Sequence, residues 1–456
     1  MSRYQKYPAY KDSGVEWIGE IPEHWEITKI RYYYDVQLGK MLQPESKTET
    51  DVEVKYLKAQ HVQWNVVNHD DLPTMWASEK EIEKFAVQQG DLLICEGGEV
   101  GRSALLDGVS DVCIIQNALH RVRAKEKSSV KYLQYFMQHV SNARWFDILC
   151  NKATIAHLTG EKLAALELPV PPVHEQQAIA SFLDSRTEKI DELIAKKESL
   201  LNKLHEKSIA LIIQAVTKGL DLSVPMKESG VNWIGKIPEH WEVKRGRFTM
   251  QVNPQSPIMR TLNEESEVSF IAMDAVNEYG GLCLDQTRIK SEVSGGYTEF
   301  QEGDVVVAKI TPCFENGKGG LAISLVNSAA FGTTELHVLR PIECLDNRFL
   351  FFLTITDGFR KLGESTMYGA GGQKRVPPEF CKNFHLPLPS ITEQRVIVKQ
   401  IEKKTVMIDR QKQQITEAIE RLKEYRSALI TDAVTGKMDV HSYETKESFL
   451  PEQKRI

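Results

Sequence analysis

The chain of 456 residues is too long for one hydrophobic core, so two or more domains are expected. With 41% hydrophobic and 26% charged residues it has the composition of an ordinary globular protein, and no apolar run approaches the roughly 18 residues of a membrane span. A net charge of −6 argues mildly against a nucleic-acid binder, whose phosphate contacts usually leave a basic excess.

The start, Met1-Ser2-Arg3-Tyr4-Gln5-Lys6-Tyr7-Pro8, has no apolar stretch before a small-residue cleavage site, so no secretory signal is expected. Seven cysteines, none in a Cys-x-x-Cys pair, speak against a disulfide framework or a zinc site and for a reducing cytoplasm.

Residues 1–27 form an opening segment. Within it, 11–27 read KDSGVEWIGEIPEHWEI, and 227–243 repeat this as KESGVNWIGKIPEHWEV, 13 identities in 17 positions at an offset of 216. Trp17, Trp25, Trp233 and Trp241 recur with the motif, as do His24 and His240. Surfaces that confer specificity should differ between halves, so these residues are expected to be structural anchors.

Residues 28–165 then parallel 244–380 faintly. Gly90-Asp91-Leu92-Leu93-Ile94 answers Gly303-Asp304-Val305-Val306-Val307, a turn feeding a buried strand. Gln116 to His120 answers Thr333 to His337, and Tyr132 to Phe136 and Phe349 to Leu353 each read as a short apolar helix. Two α+β domains of one fold with different surfaces follow, related by a pseudo-twofold axis.

A central helix is expected within 166–220. Leu168-Pro169-Val170-Pro171 leads to Glu175-Gln176, answered at an offset of 218 by Leu386-Pro387-Leu388-Pro389 and Glu393-Gln394. The prolines stop any preceding helix, and the glutamates place carboxylates in the favoured first turn. Apolar positions from Ile190 recur at three-four spacing through Leu204, Leu211 and Ala215, and again from Ile408 through Leu422, Leu429 and Ala433. Lys197 and Ser208 interrupt the first stripe; Lys412 and Arg426 flank weak points in the second. The span from Ile179 to Ala215 is about 37 residues, a rod of roughly 55 Å. The rods are expected to pair antiparallel, with packing of each helix on its own domain, or a homodimeric coiled coil, left open as alternatives. After 221–243 and 244–380, the second helix falls in 381–439, and the polar stretch 440–456 is expected to be a flexible tail.

No catalytic constellation is visible. Gly97-Gly98-Glu99-Val100-Gly101-Arg102-Ser103 lacks the Lys-Ser/Thr of a phosphate loop, Asn253-Pro254-Gln255 is not a base-holding methyltransferase loop, and no S-adenosylmethionine turn follows a strand. The chain reads as a binding and positioning protein.

The repeated Gly-x-x-Trp-Ile-Gly-x-Ile-Pro-x-x-Trp opening, the Leu-Pro-x-Pro-x-x-x-Glu-Gln helix start and the Ala-Val-Thr close (215–217, 433–435) together resemble the specificity subunits of type I restriction-modification systems. The resemblance implies two target-recognition domains separated by two long helices in an antiparallel coiled coil. Each domain would read one half of a gapped site in double-stranded DNA. It implies a non-catalytic chain without a cofactor of its own, docking two methyltransferase subunits that use S-adenosylmethionine to methylate adenine N6, and motor-nuclease subunits. A two-domain adaptor for protein or RNA partners stays open as an alternative.

Candidate DNA-binding residues lie in polar loops of the divergent regions, because such loops carry recognition on rigid scaffolds. In the first domain they are Lys40, Gln60, His61, Arg102, Ser103, Gln116, Asn117, Lys152 and Thr154; in the second, Gln255, Arg260, Lys318, Thr333, Thr334, Gln373, Lys374 and Arg375. Arg or Lys suits guanine O6/N7, and Gln or Asn suits adenine N6/N7. Residues 25–165 hold 17 Lys and Arg against 19 Asp and Glu, so bulk attraction to DNA is not expected of the chain alone.

Overall fold

The apolar runs after Gly90 and Gly303 are strands buried on both faces, each central in its sheet. The structure, a computed structural model, describes residues 5–108, 111–126, 128–150, 157–278, 280–370 and 372–441. The chain divides into two compact units, 1–197 with 417–456, and 198–416.

The first unit contains β1 (Glu26–Lys29), β2 (Tyr34–Leu38), β3 (Val52–Leu57), β4 (Thr74–Ala77), β5 (Leu92–Cys95), β6 (Ser103–Leu105), β7 (Cys113–Ile115) and β8 (Leu119–Ala124). Helix α1 (Val130–Asn142), β9 (Glu167–Val170) and the start of α2 (Val173–Lys218) follow. One antiparallel sheet runs β6–β5–β8–β2. A second runs β7–β3–β4, with β7 and β3 parallel. Ser129 caps α1 by accepting from the Tyr132 N–H, and the helix buries Tyr132, Leu133, Phe136, Met137 and Val140.

The second unit repeats this plan with β10 (Glu242–Arg245), β11 (Met250–Val252), β12 (Glu267–Ile271), β13 (Thr287–Ile289), β14 (Thr298–Gln301), β15 (Val305–Ala308), β16 (Gly319–Leu321), β17 (Ala329–Gly332) and β18 (Leu336–Pro341). Helix α3 (Asn347–Thr354), β19 (His385–Leu388) and α4 (Ile391–Val434) complete the described elements used below. Its sheets run β11–β18–β15–β16 and β13–β12–β17–β14, again with one parallel pair, β12 with β17. The expected α+β duplication is borne out.

Helices α2 and α4 have 46 and 44 residues. They exceed the expected 37 because each begins within two residues of its prolines. At about 1.5 Å per residue α2 is roughly 69 Å long. No helix among the described residues is long and apolar enough to cross a membrane.

The antiparallel pairing holds within each unit. In the first, Ile179, Leu183 and Ile190 of α2 share a core with Leu429, Ile430, Ala433 and Val434 of α4. In the second, Ile212, Ala215 and Val216 meet Ile397, Val398 and Ile401. The polar break at Arg426 is a cross-helix tie, its guanidinium 2.9 Å from Asp191.

The helix ends are exchanged between the repeats. Gly436, just past α4, has a left-handed φ of 71°, and a Cβ there would lie 2.3 Å from Pro22 Cδ of the first opening motif. Gly219, past α2, lies instead against Trp241 of the second. Each unit therefore takes its opening motif and domain from one repeat and one of its helix ends from the other. Past α4, Met438 and Val440 are buried and the Asp439 N–H donates to Gln5 O at 2.8 Å, so docked chain continues into the first residue expected to be tail. Residues 442–456 lie outside the described residues.

Candidate nucleic-acid interface

The recurring Glu-Gln at each helix start is a clamp. Glu175 accepts from Tyr7 Oη, from Trp25 Nε1 at 3.0 Å and from His24 Nε2 at 2.9 Å. Glu393 takes the same pair, Trp241 Nε1 at 3.0 Å and His240 Nε2 at 3.0 Å. The adjacent glutamine holds the α+β domain that follows the opening motif. Gln176 Oε1 accepts the Ser129 N–H at the head of α1, and Gln394 Oε1 accepts the Asp346 N–H at the head of α3. Trp25 and Trp241 are fully buried, so the anchoring role expected for the opening motif is borne out, and the glutamates serve as hydrogen-bond hubs beyond complementing the helix dipole.

Ties between loops fix the rest of each frame. Asp91 and Arg123 form a two-bond pair at 2.6 and 2.9 Å, and Asp304 with Arg340 repeats it at 2.7 Å in both bonds. His120 Nε2 donates to Leu158 O at 2.7 Å and His337 Nε2 to Val376 O at 2.8 Å. Burial pushes both imidazoles below their ordinary value, which keeps them neutral.

On this frame the first domain presents one loop edge. The Lys40 N–H donates to Ile115 O, the Asn117 N–H to Lys40 O, and the Gln116 N–H to Leu57 O, which joins three loops. Arg102 Nη2 reaches Ala59 O at 2.9 Å and brings in a fourth. The candidates Lys40, Gln60, His61, Arg102, Ser103, Gln116 and Asn117 thus share one edge. Their side chains differ in availability. Lys40 is buried and bonded to Gln43 and Glu81, His61 and Ser103 are buried, and Arg102 also bonds Glu99. Gln60 is exposed, and Gln116 and Asn117 are half-buried. Lys152 and Thr154 lie outside the described residues.

The second domain builds the matching edge. The Thr333 N–H donates to Ile271 O, the Lys309 N–H to Glu335 O and the Val376 N–H to Lys309 O. Lys318 Nζ is spent on Met273 O at 3.1 Å. Thr334, Gln373 and Lys374 are exposed, and Arg375 is tied to Glu335. Gln255 and Arg260 bond each other elsewhere: Gln255 O accepts from Arg340, at the end of β15 opposite Lys309. Sequence reasoning did not reach Lys309, Glu335 or the exposed Tyr368. The Asp91–Arg123 tie had a usable signal, since Asp91 and Asp304 recur in the aligned Gly-Asp turns.

A protein-family model described as the Type I restriction modification DNA specificity domain matches the chain twice, over residues 22–203 and 238–421. The chain belongs to this DNA specificity family. The specificity-family chain is 36% identical over 203 residues to the Type I restriction enzyme EcoEI specificity subunit of Escherichia coli, covering 43% of this chain and 34% of that relative. It is 38% identical over 167 residues to the EcoAI specificity subunit of Escherichia coli, covering 36% of this chain and 28% of the relative. These matches span only about a third of the two relatives' length. A longer match, 21% identical over 410 residues, covers 88% of the chain and 92% of the MjaVIII specificity subunit of Methanocaldococcus jannaschii.

Among solved structures, a chain from work on complex assembly and conformational transition of the type I R-M system matches with a TM-score of 0.68 at 15% identity, covering 91% of this chain and 98% of that one. The HsdS subunit from Thermoanaerobacter tengcongensis matches at 0.50 and 15%, covering 92% and 98%. The likeness shows that the specificity-family fold is shared.

Proposed function

We propose that the chain is the DNA specificity subunit of a type I restriction-modification complex. Its two domains, 28–165 and 244–380, each read one half of a gapped, bipartite DNA site, and α2 and α4 set the gap. The chain itself carries out no chemistry. It docks two methyltransferase subunits, which bring S-adenosylmethionine and methylate adenine N6, and motor-nuclease subunits that cut unmethylated DNA in the cytoplasm.

The observation that carries this reading is one scaffold built twice with chemically different loop edges. The first edge offers amides (Gln60, Gln116 and Asn117), and the second offers Thr334, Gln373, Lys374 and Arg375. Amides suit adenine, and cations suit guanine or phosphate. Buried Lys40, His61 and Ser103 shape their edge and take no part in reading bases.

Single-molecule mapping of methylated adenines, with and without this chain beside its methyltransferase partner, tests the proposal. A gapped two-part motif present only with the chain is the expected result. The slight acidic excess of the domains adds a second expectation: the chain alone binds DNA weakly, and the complex binds far more tightly. Tight, salt-insensitive binding by the chain alone would contradict it.

A further inference from the structure

We propose that Arg375, held in place by Glu335, reads a guanine in the half-site contacted by the second domain. This rests on the reading that the loop edge of that domain faces DNA.

Arg375 sits on a rigid stretch of backbone. It forms isolated bridges to Ile310 and Tyr368, and its N–H donates to Tyr368 O at 2.9 Å. Glu335 is fixed as firmly: its carbonyl accepts the Lys309 N–H, and its own N–H donates to Thr333 Oγ1 at 3.3 Å. The two side chains meet edge to edge, Nε to Oε2 at 2.9 Å and Nη2 to Oε1 at 2.8 Å. The guanidinium holds the Glu335 carboxyl below its ordinary value, so the carboxylate stays charged at neutral pH.

This geometry selects a base edge over a phosphate. Glu335 largely cancels the guanidinium charge, so little long-range attraction to phosphate remains; what remains is directional. Nε and one N–H of Nη2 are occupied, and Nη1 makes a 3.4 Å contact with Gln373 O. One N–H of Nη1 and one of Nη2 still point off the end of the fork, and the side chain is 38% exposed. Two parallel donors match the two acceptors, O6 and N7, that guanine shows in the major groove. The neighbouring Lys374, an exposed ammonium, suits the backbone instead.

Among the described residues, the first domain does not repeat this pair at the equivalent positions. In the frame set by the equivalent His120–Leu158 and His337–Val376 bonds, Ala118 stands at the place of Glu335 and His157 at that of Arg375. The arginine fork is therefore a feature of one half-site.

The test uses the full chain with its methyltransferase partner and maps methylated adenines for wild type, Arg375→Ala, Arg375→Lys, Glu335→Gln and Lys374→Ala, with assembly and melting followed alongside. Arg375→Ala should relax one guanine position in one half-site by about ten- to a hundredfold and leave the gap and the other half-site unchanged. Arg375→Lys keeps the charge facing Glu335 but lacks the fork, and should relax the same position. Glu335→Gln should relax it less, because the fork is present but loosely held. Lys374→Ala should lower methylation evenly across sites. Wild-type stringency in Arg375→Lys, relaxation spread over both half-sites, or a second half-site without guanine would overturn the inference while the function stood. A wild type that gives no gapped motif would overturn both.

Discussion

The two glutamate clamps use the same residues and differ in how tightly they are closed. Glu175 is 2% exposed and holds three donors, whereas Glu393 is 31% exposed and holds two. The difference comes from outside the repeated motif. In the first unit, Tyr7 and the stretch carrying Met438 and Val440 cover the clamp, with both of the latter 1% exposed. In the second unit, Leu220 and Leu222 stand at the matching offset and are 42% and 58% exposed. The motif specifies the geometry of the joint, and the chain segments laid over it determine how dry the joint is.

Removing the buried indoles is the harshest test of that comparison. Trp25→Ala and Trp241→Ala should each cost roughly 3–5 kcal/mol, read by chemical denaturation, because both rings are fully buried. Cutting the clamps themselves should separate the units. Glu175→Ala strands two buried donors, Tyr7 and Trp25, and should cost about 2–4 kcal/mol, while Glu393→Ala, which water can reach, should cost about 1 kcal/mol. Equal losses would break the comparison.

A smaller asymmetry should appear in acid. Burial is the main cause pushing His139 down to about 4, with Lys437 adding to it, against about 6.5 for an unfolded histidine. The unfolded chain therefore binds the extra proton between those values. This contribution to stability is complete above about pH 6.5 and falls as the pH drops toward 4, by at most about 3 kcal/mol. Thr356 stands at the corresponding offset in the second unit, so the loss belongs to the first. Replacing His139 with Gln should flatten the dependence of the denaturation midpoint on pH; an unchanged slope would place the acid sensitivity elsewhere. At the bottom of the scale, Lys196→Ala removes an exposed pair with Glu192 and should shift stability by no more than about 0.5 kcal/mol.

Much of this architecture could be read from the residues. Tryptophans spaced identically at an offset of 216 announce a duplicated frame, and an unbroken apolar run such as Leu92-Leu93-Ile94-Cys95 announces a central strand. Two things could not be read. The opening motifs alone do not choose a helix end, since Pro22-Trp25 and Pro238-Trp241 are alike; contacts along the helices set the exchange, among them those at Gly219 and Gly436. The fate of a polar loop residue was also hidden. Lys40 is quenched by Glu81 and Arg375 is braced by Glu335, partners 41 and 40 positions away with no local pattern to mark them.

The stem strands of each recognition domain have a further consequence. Residues 26–29 of β1 pair with 167–170 of β9, and 242–245 of β10 pair with 385–388 of β19. Whatever lies between the paired strands leaves and rejoins the frame through two adjacent strands, roughly 4.8 Å apart. Such an interval behaves as a cassette. A recombination event within the flanking coding sequence would deliver a different domain in one step, with every joint of the host frame already in register. Under the proposed function, target preference would then change by exchange of one whole part.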